Sequence, residues 1–386
     1  MTELTEYPNT GQLRVYDIEA ISLPVVYNKY GDHDPNGMIY VLKQESERIR
    51  RKALALFSLP VPQPYEEVRP LVIRANVGDT IQVNFYNRLN RHASIHVQGL
   101  CYDVLTSDGS NAGYNPDTTT DRFIRYIWHA DKEGVYMFSD MADTRSNEQG
   151  TNVHGLFGAI IVEAAGSVWL DPTNGKPLDS GLFADIYNPA KPAFREYAVF
   201  FHDELEIKNK EGRQPVDPHT GLPNGTTAIS YRSEPMRNRL PLDPHADHTD
   251  IAEDISMSSW AYGDPATPLL SSYVGERVKI RLLMPADKPR NISFLLHGHR
   301  WKAQPDDPLS SDICVQGAMS VGNVFNIEPE RTKCRGDYLY RSGSLRWDVE
   351  SGMWGIFRVM NRNIRCRCET ACRRMKLWWD KKQNKE

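Results

Sequence analysis

Two histidines one residue apart, His297 and His299, stand in FLLHGHRW at residues 294–301. On a strand, alternate side chains leave the same face, so this spacing is how a chain presents two imidazoles to one metal ion. A third imidazole, His96, lies in SIHVQG (94–99). Metal-binding residue types also crowd DPHADHTDIAED (243–254), where His245, Asp247, His248, Asp250, Glu253 and Asp254 fall in a loop-like segment. Hard oxygens and imidazoles of that kind suit a divalent ion, and the competing reading is a solvated acidic loop. GDHDPNG (31–37) has the composition of a turn, and His202 in FHDELE (201–206) reads as the end of a strand beginning at Tyr197. Cys101, Cys314 and Cys334 are far apart, while Cys366, Cys368 and Cys372 crowd a basic tail with Trp378 and Trp379. That pattern fits neither a disulfide framework nor a four-ligand zinc knuckle. No serine-nucleophile elbow, phosphate loop or HExxH motif occurs.

The elements that must carry these residues show themselves as a repeat. NVGDTIQVNFYN (76–87) recurs as YVGERVKIRLLM (273–284) at an offset of 197, and SIHVQG matches SFLLHG (293–298) at 199. GVYMF (134–138) matches GDYLY (336–340) at 202, and GLFGAIIVE (155–163) matches GMWGIFRVM (352–360) at 197. Four ordered matches at nearly constant offset imply two copies of one unit. Their short alternating strands and turn signals predict an all-β chain of two sandwiches. The first spans residues 10–165 and the second 191–362, with a Pro-, Gly- and Asp-rich linker at 166–190 and the Cys/Trp tail at 363–386. LKQESERIRRKALALF (42–57) lacks Gly and Pro and has apolar residues at helical spacing, so it predicts a surface helix inserted before the first repeated strand.

The bulk numbers agree. A chain of 386 residues with 40 % apolar and 25 % charged residues is long enough for two cores, and 25 Pro with 26 Gly favour strands and turns. A net charge of −4 supplies no attraction for nucleic acid or an anionic membrane. No segment approaches the roughly 20 apolar residues of a membrane-spanning helix. The N-terminal residues carry no secretory signal, so a cytoplasmic location is expected, and assembly on a spore surface after synthesis inside the cell is compatible with the same N-terminus.

With these strands in place, SIHVQG, GVYMF, HGLFGAIIVE, SFLLHGHRW and GDYLYRSGSLRWDVESGMWGIFRV resemble the copper-binding strands of multicopper oxidases, in the manner of ceruloplasmin-like enzymes and large bacterial manganese oxidases. The resemblance covers both repeats and implies two cupredoxin-like Greek-key sandwiches and an ancestry in oxygen reduction at a three-copper cluster fed by a blue copper. It also implies where ligands should stand. The first H-x-H falls on His96 and Gln98, and the later one on Ser139 and Met141. The H-x-x-H-x-H of the second unit falls on Ile292, Leu295 and His297, and the H-C-H on Arg341, Ser342 and Gly343. His96 and His297 are the cluster imidazoles left, and the blue-copper thiolate is absent. His299 lies where the family keeps a histidine without using it for copper.

Two states are therefore expected for His96 and His297. Either they are remnants held by hydrogen bonds, with Gln98, Ser94 or Ser293 as partners, or they share one copper ion between the domains. The functional expectation is a non-catalytic or regulatory relative, or the front part of a larger oxidase whose copper domains lie elsewhere, as in a partner chain. The alternatives are an active copper or manganese oxidoreductase using His96, His297 and the acidic loop, and a structural sandwich pair that builds a homo-oligomer or other assembly.

Overall fold

The computed structural model describes residues 11–115, 122–145, 147–216, 221, 223–239, 256–286 and 291–361. The acidic stretch with His245, Asp247 and His248, and the tail at 363–386, lie outside the described residues.

The first sandwich is built from β1 (Leu13–Ser22), β2 (Met38–Leu42), β3 (Leu71–Asn76), β4 (Thr80–Asn87), β5 (His96–Val97), β6 (Cys101–Tyr102), β7 (Phe123–His129), β8 (Gly134–Ser139) and β9 (Phe157–Glu163). They form two sheets, in the orders β2-β1-β4-β7-β6 and β3-β9-β8-β5. The second sandwich contains β10 (Val168–Leu170), β11 (Phe183–Asn188), β12 (Lys191–Asp203), β13 (Thr227–Ile229), β14 (Leu270–Tyr273), β15 (Val278–Ala286), β16 (Ile292–Leu296), β17 (Val315–Met319), β18 (Val324–Ile327), β19 (Gly336–Ser342) and β20 (Trp354–Met360). Its sheets run β10-β11-β12-β15-β18, with β13 on β12, and β14-β20-β19-β16-β17. The repeat is structural: β1 and β4 pair in parallel as β12 and β15 do, and β3 and β9 as β14 and β20 do.

Strand formation follows the alternation. In β4, Ile81, Val83 and Phe85 are fully buried, while Gln82, Asn84 and Tyr86 are half-buried on the other face. The inserted helix α1 (Lys43–Phe57) buries Ile49 and Ala53, four residues apart on one stripe, against the chain around β1 and β2. It ends where Ser58 donates both its N–H and its hydroxyl to the Leu54 carbonyl, two residues before Pro60.

Segment 166–190 departs from the expected linker. It supplies β10 and β11 to the first sheet of the second sandwich, with Trp169, Ala184 and Ile186 buried together. Its Pro, Gly and Asp residues make the tight connections between these short strands, and that composition masks them.

The two sandwiches share a core. Val72, Val135, Met137, Phe157, Ala159 and Ile161 on the outer face of the β3-β9-β8-β5 sheet pack in one buried cluster with Ala198, Phe200 and Leu283 of the second sandwich. Phe157 stacks on Phe200 with ring centroids 5.8 Å apart. Each fully buried side chain of this size contributes about 1.5–3 kcal/mol.

The repeat also places equivalent glycines in backbone conformations that a side chain resists. Gly155 and Gly352, one before each closing strand, have φ of 106° and 113°. At Gly352 an added Cβ would also overlap the Ser233 hydroxyl oxygen. Gly352→Ala should therefore lower stability by about 2–4 kcal/mol, and Gly155→Ala by about 1–3 kcal/mol. Urea unfolding checks this, and an unchanged midpoint in both variants would refute the assigned turn geometry.

Candidate metal face

His96 lies on the two-residue edge strand β5, paired with Ser139 of β8. Its Nδ1 is 2.7 Å from the backbone carbonyl of Asp108, so the ring N–H donates there and Nε2 keeps its lone pair. Helix α2 (Val104–Ser107) ends at Asp108 and so delivers this carbonyl. Burial raises the Asp108 carboxyl, but the hydroxyls of Ser110 and Tyr102 and the nearby ring of His96 more than offset that and hold it below its usual range. The Tyr102 ring meets His96 edge-on. Holding one imidazole nitrogen on a carbonyl while leaving the other open is how proteins orient a ligating histidine.

The strand beneath His96 is pinned by Asp140. Its carboxylate, shielded from solvent, accepts from the Ser94 N–H and hydroxyl, the Ala142 N–H and the Thr151 hydroxyl. Burial pushes its pKa up, against the pull of those donors. Ser94 is thus committed to Asp140, and the partner of His96 is Asp108, not Gln98, Ser94 or Ser293 as expected from the sequence.

His297 follows β16 and is exposed. Across the sheet, Leu295 pairs with Arg341 of β19. The Arg341 Nε–H donates to His297 Nε2 at 3.1 Å, and its Nη1 donates to the Ser342 and Gly343 carbonyls. Partial burial and the Arg341 charge lower the His297 pKa, which keeps the ring neutral and the guanidinium on its lone pair. His299 is 5 % exposed and serves as a clamp: Nδ1 donates to the His297 carbonyl and Nε2 accepts from the Thr332 hydroxyl. The pair that opens the sequence argument therefore divides into one surface and one structural imidazole.

Ser342, where the resemblance would put the blue-copper thiolate, is buried and donates its hydroxyl to the Asp348 carboxylate. Ile292 faces the core, and Leu295 is half-buried. No group of three or more His, Cys, Asp or Glu side chains able to hold a metal ion occurs among the described residues. His96 and His297 have separate partners, each within its own sandwich.

The fold joins two segments that the sequence left as a turn and a strand end. GDHDPNG and the chain after FHDELE run side by side, His33 and Lys208 exchanging both backbone hydrogen bonds. Asp34 there is buried and bonds to His154 Nδ1 at 2.6 Å, while His154 Nε2 donates to the Glu148 carbonyl. Burial works against charging His154, but Asp34 outweighs it and raises the pKa. His202 is fully buried edge-on to Phe157, and burial together with nearby His154 pushes its pKa down to about 3. No sequence signal joined Asp34, His154 and His202, because their spacing follows no motif.

Comparison with known proteins finds a family model over part of the chain and structural likenesses to its fold. Residues 68–167 match the family model described as multicopper oxidase. Bovine (Bos taurus) coagulation factor V is 32 % identical over 224 residues, covering 52 % of this chain, and the chain spans about a tenth of that protein's length (10 %). Among solved structures, a multicopper oxidase superposes with a TM-score of 0.53 at 15 % identity, covering 90 % of this chain and 89 % of the other. The copper nitrite reductase from Nitrosomonas europaea superposes at 0.50 and 17 % identity, covering 91 % and 95 %. These structural likenesses establish the two-sandwich fold, and the multicopper oxidase family model matches this chain over residues 68–167.

Proposed function

We propose that this chain is a multicopper-oxidase relative without the oxidase's full metal machinery, and that it holds at most one copper ion, on His96. The observation that carries the reading is Arg341, whose guanidinium occupies the Nε2 lone pair of His297. A copper ion bound to that nitrogen would have to displace the guanidinium and remain near its charge. At 4 Å and an effective dielectric of 20, two unit charges repel by about 4 kcal/mol.

The other family positions support the same reading. Gln98, Ser139, Met141, Leu295 and Gly343 offer no imidazole, and Ser342 offers a hydroxyl already given to Asp348. Thiolate and imidazole are the donors that suit copper, so the donor set does not fit a blue copper joined to a three-copper cluster. Of the two imidazoles at the family positions, His96 is the one with a fixed tautomer and an open nitrogen. On this reading oxygen reduction would require copper sites supplied from outside this chain, by a partner chain or a second copy.

Metal counting by mass spectrometry after copper loading should find no more than about one ion per chain. His96→Ala should abolish that binding and His297→Ala leave it in place. The loaded protein should show no intense band near about 600 nm, since such absorption needs a Cys–copper bond. Three coppers per chain with sustained oxygen consumption would overturn the proposal.

The role given to Arg341 has its own readout. In Arg341→Gln the His297 pKa should rise, because the neighbouring positive charge that disfavours the imidazolium is gone. An NMR titration of the imidazole resonances measures it, and an unchanged or lower pKa would remove Arg341 as the group controlling this ring.

A further inference from the structure

The interface between the sandwiches contains a charged cluster within its apolar packing. Arg74 of β3 and Glu163 of β9 come from the first sandwich, Glu196 of β12 and Arg281 of β15 from the second, and none is more than 3 % exposed. Arg74 Nη1 donates to Glu196 Oε2 at 2.5 Å and Arg281 Nε to Glu196 Oε1 at 2.9 Å. Arg281 Nη2 donates to Glu163 Oε1. Arg74 Nη2 donates to the Gly181 carbonyl and Arg281 Nη1 to Asn326, both neutral acceptors.

The arrangement is lopsided. Glu196 receives both cations, whereas Glu163 shares one. Lys279 on β15 and Arg74 also act on Glu163 but are bonded elsewhere, Lys279 to Glu328 and Arg74 to Glu196. Asn76 of β3, in register with Glu163, is neutral. A buried carboxylate with half a counter-ion is the weak member of such a cluster.

We propose that this cluster is a proton-linked latch between the sandwiches, closed with Glu163 protonated and loosened at that end of the interface as rising pH charges Glu163. The proton resides on Oε2, leaving Oε1 to accept from Arg281. Burial pushes the Glu163 pKa up to about 7, and the charge of Glu196 raises it further against Arg281, Lys279 and Arg74. Glu196 goes the other way: its two arginines outweigh burial and hold it at about 2.

The signs follow from linkage. A carboxyl whose folded pKa lies above its unfolded value binds an extra proton on folding, so its contribution is greatest on the acid side and falls as pH rises towards 7. Glu196 contributes above the ordinary carboxylate range and loses its contribution only as pH falls towards 2. Between pH 5 and 8, Glu163 is the member of the cluster that titrates.

Urea unfolding of the full chain between about pH 5 and 8, in wild type, Glu163→Gln and Glu196→Gln, tests the latch. From pH 5 to 8 the wild-type folded-to-unfolded ratio should fall, relative to Glu163→Gln, by up to about a hundredfold. Glu163→Gln, which removes an ion pair, should be more stable than wild type at pH 8. Glu196→Gln should be less stable throughout, with the wild-type slope retained. Amide exchange, corrected for its intrinsic pH dependence, should show β9 and β12 losing protection before the cores of the two sandwiches. Equal slopes in wild type and Glu163→Gln, lower stability of Glu163→Gln at pH 8, or uniform loss of protection would each overturn the proposal. If Glu196→Gln does not fold, the Glu163→Gln comparison and the exchange pattern decide.

Discussion

The outer face of the β3-β9-β8-β5 sheet cannot stand in water, and much of the molecule is arranged around covering it. Val72, Met137, Phe157, Ala159 and Ile161 on that face find their complement in Ala198, Phe200 and Leu283. The second sandwich must therefore present the outer face of its own first sheet, which sets the relation between the two units. Apolar contact is tolerant of sliding, and the buried cations and carboxylates are not. Any register that separates Arg74 from Glu196, or Arg281 from both glutamates, leaves a buried unpaired charge at a cost of about 3–5 kcal/mol. Burying such ions adds little net stability, so their contribution is chiefly to orientation.

The same face of the second sandwich is handled differently, and that difference governs the candidate metal face. On the β14-β20-β19-β16-β17 sheet, Trp354, Ile356 and Leu339 are covered by Met236, Met257 and Leu269 of the same chain. Arg358 helps to fasten that cover through Asp264, and binds Asp337 of its own sheet. His297, just after β16, is exposed, with Arg341 over its nitrogen. In the first sandwich His96 stays partly sheltered, at the edge of a sheet whose centre is buried by its neighbour. Two copies of one strand pattern thus offer His96 and His297 in different settings.

The histidines show how little residue type says about role. His96 donates to a carbonyl and keeps an open nitrogen, His297 is capped by a guanidinium, and His299 fastens a turn. His154 is favoured as a cation by Asp34, and His202 stays neutral in an apolar setting. Each state is decided by the groups within hydrogen-bonding reach and by access to water.

What the sequence determined by itself is what periodicity and local composition encode. The alternation in TIQVNFYN, the helical stripe through Ile49 and Ala53, the repeated Gly-acid turns and the absence of a cysteine between Arg341 and Gly343 are all read within about ten residues. Those features sufficed for two sandwiches and an inserted helix. The tertiary structure decided the pairings. Arg341 is 44 positions from His297, Asp34 is 120 from His154, and Arg74 is 122 from Glu196. The strands in segment 166–190 were hidden for a related reason, since β10 and β11 are strands through their pairing along β12. Such contacts depend on the order and register of strands in a sheet and on how one sandwich lies against the other, and no local spacing rule records either.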